Sequence, residues 1–236
     1  MSRRNFSAAC LSLVLAGACA LAPCFVRAGR AQQARPASSP KPAKVFQEAR
    51  AVNHSAAPDP EAFEFEMNGF AYHVKANGNG RRTKGTRVRG FNLRLDRGDS
   101  VQSLFYSEFE GDLLLLLHLN GAGGGAGLVT LLEQPSMRGR WHQRIEAPDV
   151  GEPLREGQHL YLTGAGFVGK LDLRTGEYAW QLEGLEDTRG DEPEPFKAFD
   201  PPELRGDTVL FRERPVYNPR RTLVLDRKSG KVIRVE

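Results

Sequence analysis

Cysteine is scarce in this chain of 236 residues, and its three copies, Cys10, Cys19 and Cys24, all lie near the start. If the leader described below is removed, the mature protein has no thiol. That excludes disulfides, cysteine nucleophiles and cysteine-ligated metals from it. It also fits an oxidising compartment, where an unpaired thiol is a liability.

The first residues have the features of a secretory leader. Arg3 and Arg4 precede an apolar stretch of small residues over 8–22. Val26-Arg27-Ala28 then presents the small residues that a signal peptidase accepts. We therefore predict a signal peptide over residues 1–28 and an exported protein, periplasmic or secreted, with no membrane span once the leader is cleaved.

Two alternatives to cleavage remain. Residues 8–26 are barely long enough for a retained membrane anchor, and Gly17 and Pro23 weaken such a helix. A lipid anchor through Cys19 would use the degenerate lipobox at residues 16–19, in which an alanine stands where a large aliphatic residue is expected.

The mature chain has little excess charge of either sign. The whole sequence has a formal net charge of +4, but residues 1–28 hold three arginines and no acid. Removing these three from the 33 basic residues leaves 30, against 29 acidic residues. The mature chain is therefore nearly neutral, which gives no reason to expect binding to nucleic acid.

Two regions follow the leader. Residues 29–60 are rich in alanine, proline, serine, glutamine and lysine, so we predict a disordered tether there. Residues 61–236 are long enough for one domain with its own core. Apolar and polar residues alternate in short runs such as Phe63–Met67 and Thr222–Leu225, bounded by turn-forming residues. That pattern predicts an all-β domain of short strands and tight turns.

A repeat becomes visible when the strand segments are aligned. In two units a strand ends in Asp-x-x-Ser/Thr-Gly, at Asp172–Gly176 and Asp226–Gly230. Aspartate caps backbone N–H groups in such a turn, and glycine takes its positive φ. A tryptophan on the following strand fills the space between sheets. The residues that define the repeat are Asp172, Thr175, Gly176, Trp180, Asp226, Gly230 and Trp141.

The segment Leu171-Asp172-Leu173-Arg174-Thr175-Gly176-Glu177-Tyr178-Ala179-Trp180 resembles the repeat of PQQ-type, or quinoprotein-like, β-propellers, and residues 225–233 are a weaker match. Around Trp141 the match is in outline only, because the segment Glu133–Gly139 stands in place of the aspartate–glycine turn. The resemblance covers about residues 105–236. It implies antiparallel sheets in propeller-like repeats, which at this length form a small or incomplete β-propeller. Residues 61–104 could supply a further blade.

The densest basic cluster follows the turn sequence Asn77-Gly78-Asn79-Gly80. Its ordinary explanation is a solvated hairpin tip. Its functional explanation is an electrostatic site for an anionic glycan, a lipid head group or an acidic partner. The cluster consists of Arg81, Arg82, Lys84, Arg87 and Arg89.

Few patterns point to catalysis. The five histidines are scattered without metal-ligand spacing, and no Gly-x-Ser-x-Gly nucleophile turn occurs. The acidic stretch 183–203 has no ordered calcium-loop spacing. We therefore expect neither catalytic residues nor a metal site.

These observations favour an exported, non-catalytic β-repeat protein, without a cofactor, that recognises a protein or glycan partner in the cell envelope. One alternative is a quinoprotein-type oxidoreductase, for which the resemblance implies pyrroloquinoline quinone with calcium. Another is an envelope or outer-membrane assembly factor.

Overall fold

A computed structural model of the chain describes residues 46–53, 61–121 and 124–236. These ranges form strands and turns, with no helix among them, and so none that could cross a membrane. The twenty strands are, in chain order, β1 (Gln47–Glu48), β2 (Arg50–Val52), β3 (Ala62–Met67), β4 (Phe70–Lys75), β5 (Asn79–Lys84), β6 (Arg87–Asn92), β7 (Ser100–Phe109), β8 (Asp112–Gly121), β9 (Gly124–Glu133), β10 (Arg138–Ile145), β11 (Leu154–Glu156), β12 (His159–Gly164), β13 (Phe167–Asp172), β14 (Tyr178–Leu182), β15 (Glu186–Asp187), β16 (Glu194–Pro195), β17 (Glu203–Arg205), β18 (Thr208–Arg212), β19 (Thr222–Asp226) and β20 (Val232–Val235).

The strands form four antiparallel sheets, here called sheets 1 to 4, and one short hairpin. Sheet 1 has the order β2-β3-β4-β5-β6, and sheet 2 has the order β1-β7-β8-β9-β10. Sheets 3 and 4 are β11-β12-β13-β14 and β17-β18-β19-β20, and β15 pairs with β16. The chain is thus all-β, with antiparallel sheets in propeller-like repeats, as the sequence predicts. Strands β3 to β6 supply the further repeat in residues 61–104.

Three apolar clusters lie between successive sheets: one between sheets 1 and 2, one between sheets 2 and 3, and one between sheets 3 and 4. Strand β8 contributes to two of them because its side chains alternate between its faces. Leu113 and Leu115 belong to the first cluster, whereas Leu114 and Leu116 belong to the second. The apolar run Leu113–Leu117 is therefore a central strand covered on both faces, as predicted.

Among the described residues, no apolar cluster joins sheet 4 back to sheet 1. On the face of sheet 4 turned away from sheet 3, Glu203 pairs with Arg205 and Arg212 at 2.8 and 3.2 Å. Leu210 and Val224 on the same face are buried. The open face of sheet 1 also carries a polar row across its strands, formed by Arg50, Glu64, His73 and Arg81.

Residues 46–53, called the strap here, correct the prediction of a tether over 29–60. β1 pairs with β7 in sheet 2, and β2 pairs with β3 in sheet 1. Phe46 and Ala49 are buried in two different clusters, and the Ala49 N–H donates to the Leu104 carbonyl at 2.9 Å. The prediction is wrong for the strap because two buried side chains and ladder hydrogen bonds fix it. The predicted signal peptide and the rest of the tether, over 29–45 and 54–60, lie outside the described residues.

Candidate functional site

One five-residue turn joins the last two strands of sheets 2, 3 and 4. In each copy the N–H of the fifth residue donates to the carbonyl of the first, and the fifth residue has a positive φ. The fifth-to-first pairs are Met137 to Glu133 at 2.7 Å, Gly176 to Asp172 at 2.8 Å and Gly230 to Asp226 at 2.9 Å, with φ values of 58°, 76° and 72°. Glu133–Met137 therefore forms the repeat turn with different residue types.

The polar residues of the repeat motif stabilise this turn. An Asp172 oxygen accepts a hydrogen bond from the Arg174 N–H at 2.8 Å. The Thr175 hydroxyl oxygen accepts one from the Glu177 N–H at 3.2 Å. Asp226 accepts two from Ser229, which lower the pKa of its carboxyl group. These motif residues bond to their own turns, which is a structural role.

Tryptophan links two of the turns to the preceding sheet. Trp141 of sheet 2 lies on Gly176 of sheet 3, and Trp180 of sheet 3 lies on Gly230 of sheet 4. A Cβ atom at Gly176 or Gly230 would come within 2.5 or 2.6 Å of the indole ring, so only glycine permits the contact. Each indole N–H donates to a carbonyl of the turn that it covers, those of Leu173 at 3.0 Å and Arg227 at 3.2 Å.

The junction between sheets 1 and 2 has no such tryptophan. Arg89 lies opposite Arg82 on the last strand of sheet 1, much as Trp180 lies opposite Lys170 in sheet 3. Arg82, which is 9% exposed, reaches the next turn instead and donates to the Gln134 side chain at 2.6 Å and the Pro135 carbonyl at 3.1 Å. The turn's fifth residue, a methionine rather than glycine, is buried in the first apolar cluster.

A groove of about 520 Å³ opens where the tryptophan would lie. We call it the basic groove. Its lining holds four cationic side chains and no carboxylate, and Phe70 forms an aromatic surface in it. The Arg82 guanidinium carbon and the Lys84 nitrogen lie 4.4 and 4.6 Å from the centre of that ring, which favours cation–π attraction. The lining residues are Phe70, Arg82, Lys84, Arg87, Val88, Arg89 and Pro135.

Like charges face each other across the hairpin that borders the basic groove. Arg82 is directly opposite Arg89, and Lys84 is directly opposite Arg87. Like charges directly opposite each other on neighbouring strands are destabilising. Among the described residues, no carboxylate forms a salt bridge with Lys84, Arg87 or Arg89. The repulsion between these cations is therefore left without local compensation.

The structure divides the basic cluster predicted from the sequence. Lys84, Arg87 and Arg89 are exposed at the basic groove. Arg82 is buried beneath them and bonds to sheet 2. Arg81 belongs to the opposite, open face of sheet 1, where it lies beside His73. Phe70 and Pro135, which complete the basic groove, come from other parts of the chain.

The acidic stretch 183–203 contains the hairpin β15–β16. An Arg189 hydrogen bond holds the pKa of Asp187 at about 2. Arg221 donates to the carbonyls of Glu194 and Pro195 at 3.1 and 2.9 Å, which attaches β16 to sheet 4. Four carboxylates of this stretch form ion pairs within the fold: Asp187, Glu194, Asp200 and Glu203.

The described residues contain no group of three or more histidine, cysteine, aspartate or glutamate side chains placed to hold a metal ion. These ranges therefore present no such cluster for the calcium that the quinoprotein resemblance implies. Three buried polar atoms have no partner in the same ranges: His118 Nε2, Thr163 Oγ1 and the Tyr178 hydroxyl. Burial lowers the pKa of His118.

No family model and no curated protein matches this chain. Solved structures similar to it include the computationally designed Ika8 protein, with a TM-score of 0.46 at 10% identity, covering 75% of this chain and 49% of that one. AztD from Citrobacter koseri has a TM-score of 0.42 at 14% identity, and the match covers 75% of this chain and 47% of AztD. Quinohemoprotein alcohol dehydrogenase ADHIIG from Pseudomonas putida HK5 has a TM-score of 0.45 at 12% identity, and the match covers 81% of this chain and 36% of the dehydrogenase. The chain thus spans half or less of each, and such likeness concerns the fold alone.

Proposed function

We propose that this is an exported, non-catalytic β-repeat protein of the cell envelope, periplasmic or secreted, whose basic groove binds an anionic protein or glycan. The observation that carries the proposal is the junction between sheets 1 and 2. There, arginine and lysine side chains border an open groove in the place that tryptophan fills at the next two junctions.

The charge arrangement supports an anionic ligand. Lys84, Arg87 and Arg89 repel one another across the hairpin, and a bound anion would relieve that repulsion. Arginine can also donate two parallel hydrogen bonds to one carboxylate or sulfate group. Phe70 and Pro135 add apolar surface beside the charges, so the basic groove suits an anion carried on a larger molecule.

The surrounding structure supports a binding role because it holds the basic groove in place. Arg82 joins the hairpin to the turn of sheet 2 through two hydrogen bonds. Tyr72, on the neighbouring strand, is buried and stacks on Phe65 with ring centres 4.7 Å apart. A preorganised site loses less entropy on binding than a mobile one. Export itself rests on the leader over residues 1–28.

Chromatography on immobilised heparin, a sulfated polysaccharide, tests anion binding. We expect the mature wild-type protein to be retained and the double variant Arg87→Glu/Arg89→Glu to elute at clearly lower salt. The control Lys228→Glu/Lys231→Glu makes the same change in net charge at exposed positions of sheet 4. It should elute with the wild type.

Equal elution of the two double variants would overturn the assignment of anion binding to the basic groove.

Export is tested in a separate experiment, by measuring the intact mass of the protein recovered from the periplasm or the medium. A chain that begins at Gly29 is expected, and a full-length chain would contradict removal of the leader.

A further inference from the structure

We propose that the ligand of the basic groove is an extended acidic segment of a partner protein, which adds to sheet 1 as an antiparallel strand beside β6. This rests on the proposed function, because it names the ligand class of the same groove. The proposal depends on the free edge of β6 and on the spacing of its charged side chains.

Strand β6 is the outer strand of sheet 1, so one side of its backbone faces no neighbour. The Leu93 N–H donates to the Gly78 carbonyl at 3.0 Å, which shows which opposite residues of β5 and β6 form hydrogen-bonded pairs. Because hydrogen-bonded and non-hydrogen-bonded pairs alternate along the two strands, the N–H and C=O groups of Val88 and Gly90 point away from β5. These groups are the donors and acceptors that a further strand needs.

The edge of β6 is also more open than the edge of β20. At β20, Arg189 donates to the Val235 carbonyl at 2.7 Å and so occupies part of that edge. No described side chain makes such a bond to Val88 or Gly90. A Cβ atom built at Gly90 would meet only the Gly80 carbonyl oxygen, at 3.8 Å, so the backbone there is accessible.

Side-chain spacing indicates the sequence of the partner. Arg87 and Arg89 both line the basic groove, and residues two apart on a strand are separated by about 6.6 Å. A paired strand presents its own alternate residues at the same spacing, so carboxylates at alternate positions would each face one arginine. Between them, the alternation of the strand turns the Val88 side chain away from those of Arg87 and Arg89, and Val88 is 66% exposed. The structure therefore favours an acidic–apolar–acidic pattern.

The sign of the charges gives selectivity. Charged side chains on an edge strand usually discourage pairing with other chains. Here they are all positive on the groove side, so they oppose neutral and basic strands but attract an acidic one. A glycan could satisfy the charges, but it would not form the regular backbone ladder that β6 leaves open.

Fluorescence anisotropy with labelled peptides tests this proposal. We compare the alternating peptide Glu-Val-Glu-Val-Glu with its isomer Glu-Glu-Glu-Val-Val, which has the same charge and composition. We expect the alternating peptide to bind the wild-type protein about tenfold more tightly. N-methylation of its alternate amides on the β6 side should remove that advantage, because it blocks the ladder without changing the charge.

A pair of protein variants tests the same bonds from the other side. Gly90→Pro removes the outward N–H, whereas Gly90→Ala keeps it and adds only the Cβ for which there is room. We expect about tenfold weaker binding of the alternating peptide by Gly90→Pro and little change by Gly90→Ala. If Gly90→Pro does not fold, N-methylation provides the same test on wild-type protein.

Equal binding of the two peptides, or no effect of N-methylation, would overturn strand addition. Heparin retention that depends on Arg87 and Arg89 would in that case still support the proposed function, with a glycan as the ligand. Loss of both results would overturn both proposals.

Discussion

Replacing Gly176 with alanine tests the contact that joins sheets 2 and 3. Gly176 has a φ of 76°, and an added Cβ would lie 2.5 Å from the Cγ and Cδ2 atoms of Trp141. Those atoms are close to the backbone, so the ring cannot move away cheaply. The positive φ costs a residue with a Cβ about 1–2 kcal/mol, and overpacking adds about 1–3 kcal/mol.

We therefore expect Gly176→Ala to lower the free energy of unfolding by about 2–5 kcal/mol, measured from urea unfolding midpoints at constant m value. Gly157→Ala and Gly206→Ala are matched controls. These glycines have φ values of 57° and 55° but no atom within 4 Å of an added Cβ. The free energy of unfolding of these control variants should fall only by the cost of the positive φ, about 1–2 kcal/mol.

A double-mutant cycle separates the two contributions. In a Trp141→Ala background the ring is absent, so Gly176→Ala should cost no more than the controls. If Gly176→Ala costs no more than Gly157→Ala while Trp141 is present, the indole does not rest on the glycine and the account of this junction fails.

Two further predictions concern charge. Arg89→Glu places opposite charges across the hairpin from Arg82, so the free energy of unfolding should rise by about 0.2–1 kcal/mol while heparin retention falls; a lower urea midpoint would contradict this. The pKa of Asp187 is about 2 in the folded protein and about 3.9 in the unfolded chain. The ionised Asp187 therefore stabilises the folded state fully above the unfolded pKa, and this stabilisation is lost as the pH falls through the folded pKa. Urea midpoints of the wild type and Asp187→Asn should therefore converge between about pH 4 and about pH 2; a gap that stays constant would refute the pairing of Asp187 with Arg189.

The repeat turns could be predicted where local chemistry determines them. Asp172–Gly176 and Asp226–Gly230 carry a capping aspartate and a glycine at the positive φ, so their sequence alone indicates the turn. Glu133–Met137 forms the same turn without that signal. Its Met137 takes a φ of 58°, and burial in the cluster between sheets 1 and 2 supports it there. Such support comes from packing with distant residues and leaves no local pattern.

The candidate site was only partly visible for the same reason. The basic cluster stands out by composition, and the alternation of β5 could have placed Arg81 and Arg82 on opposite faces. The groove itself could not be predicted, because Phe70 and Pro135 reach it from β4 and from the turn of sheet 2. Neither residue has a feature in the sequence that links it to the cluster.

The strap bears on the order in which the fold can assemble. Sheets 3 and 4 consist of strands that follow one another in sequence, so their hairpins can close early. β1 instead meets β7 about sixty residues further along the chain, a closure with a larger entropic cost and slower formation. We therefore expect the strap to dock after sheet 2 has formed. Until then the free edges of β7 and β3 expose backbone groups that can pair with other chains, so a newly made chain is most prone to aggregate before the strap has docked.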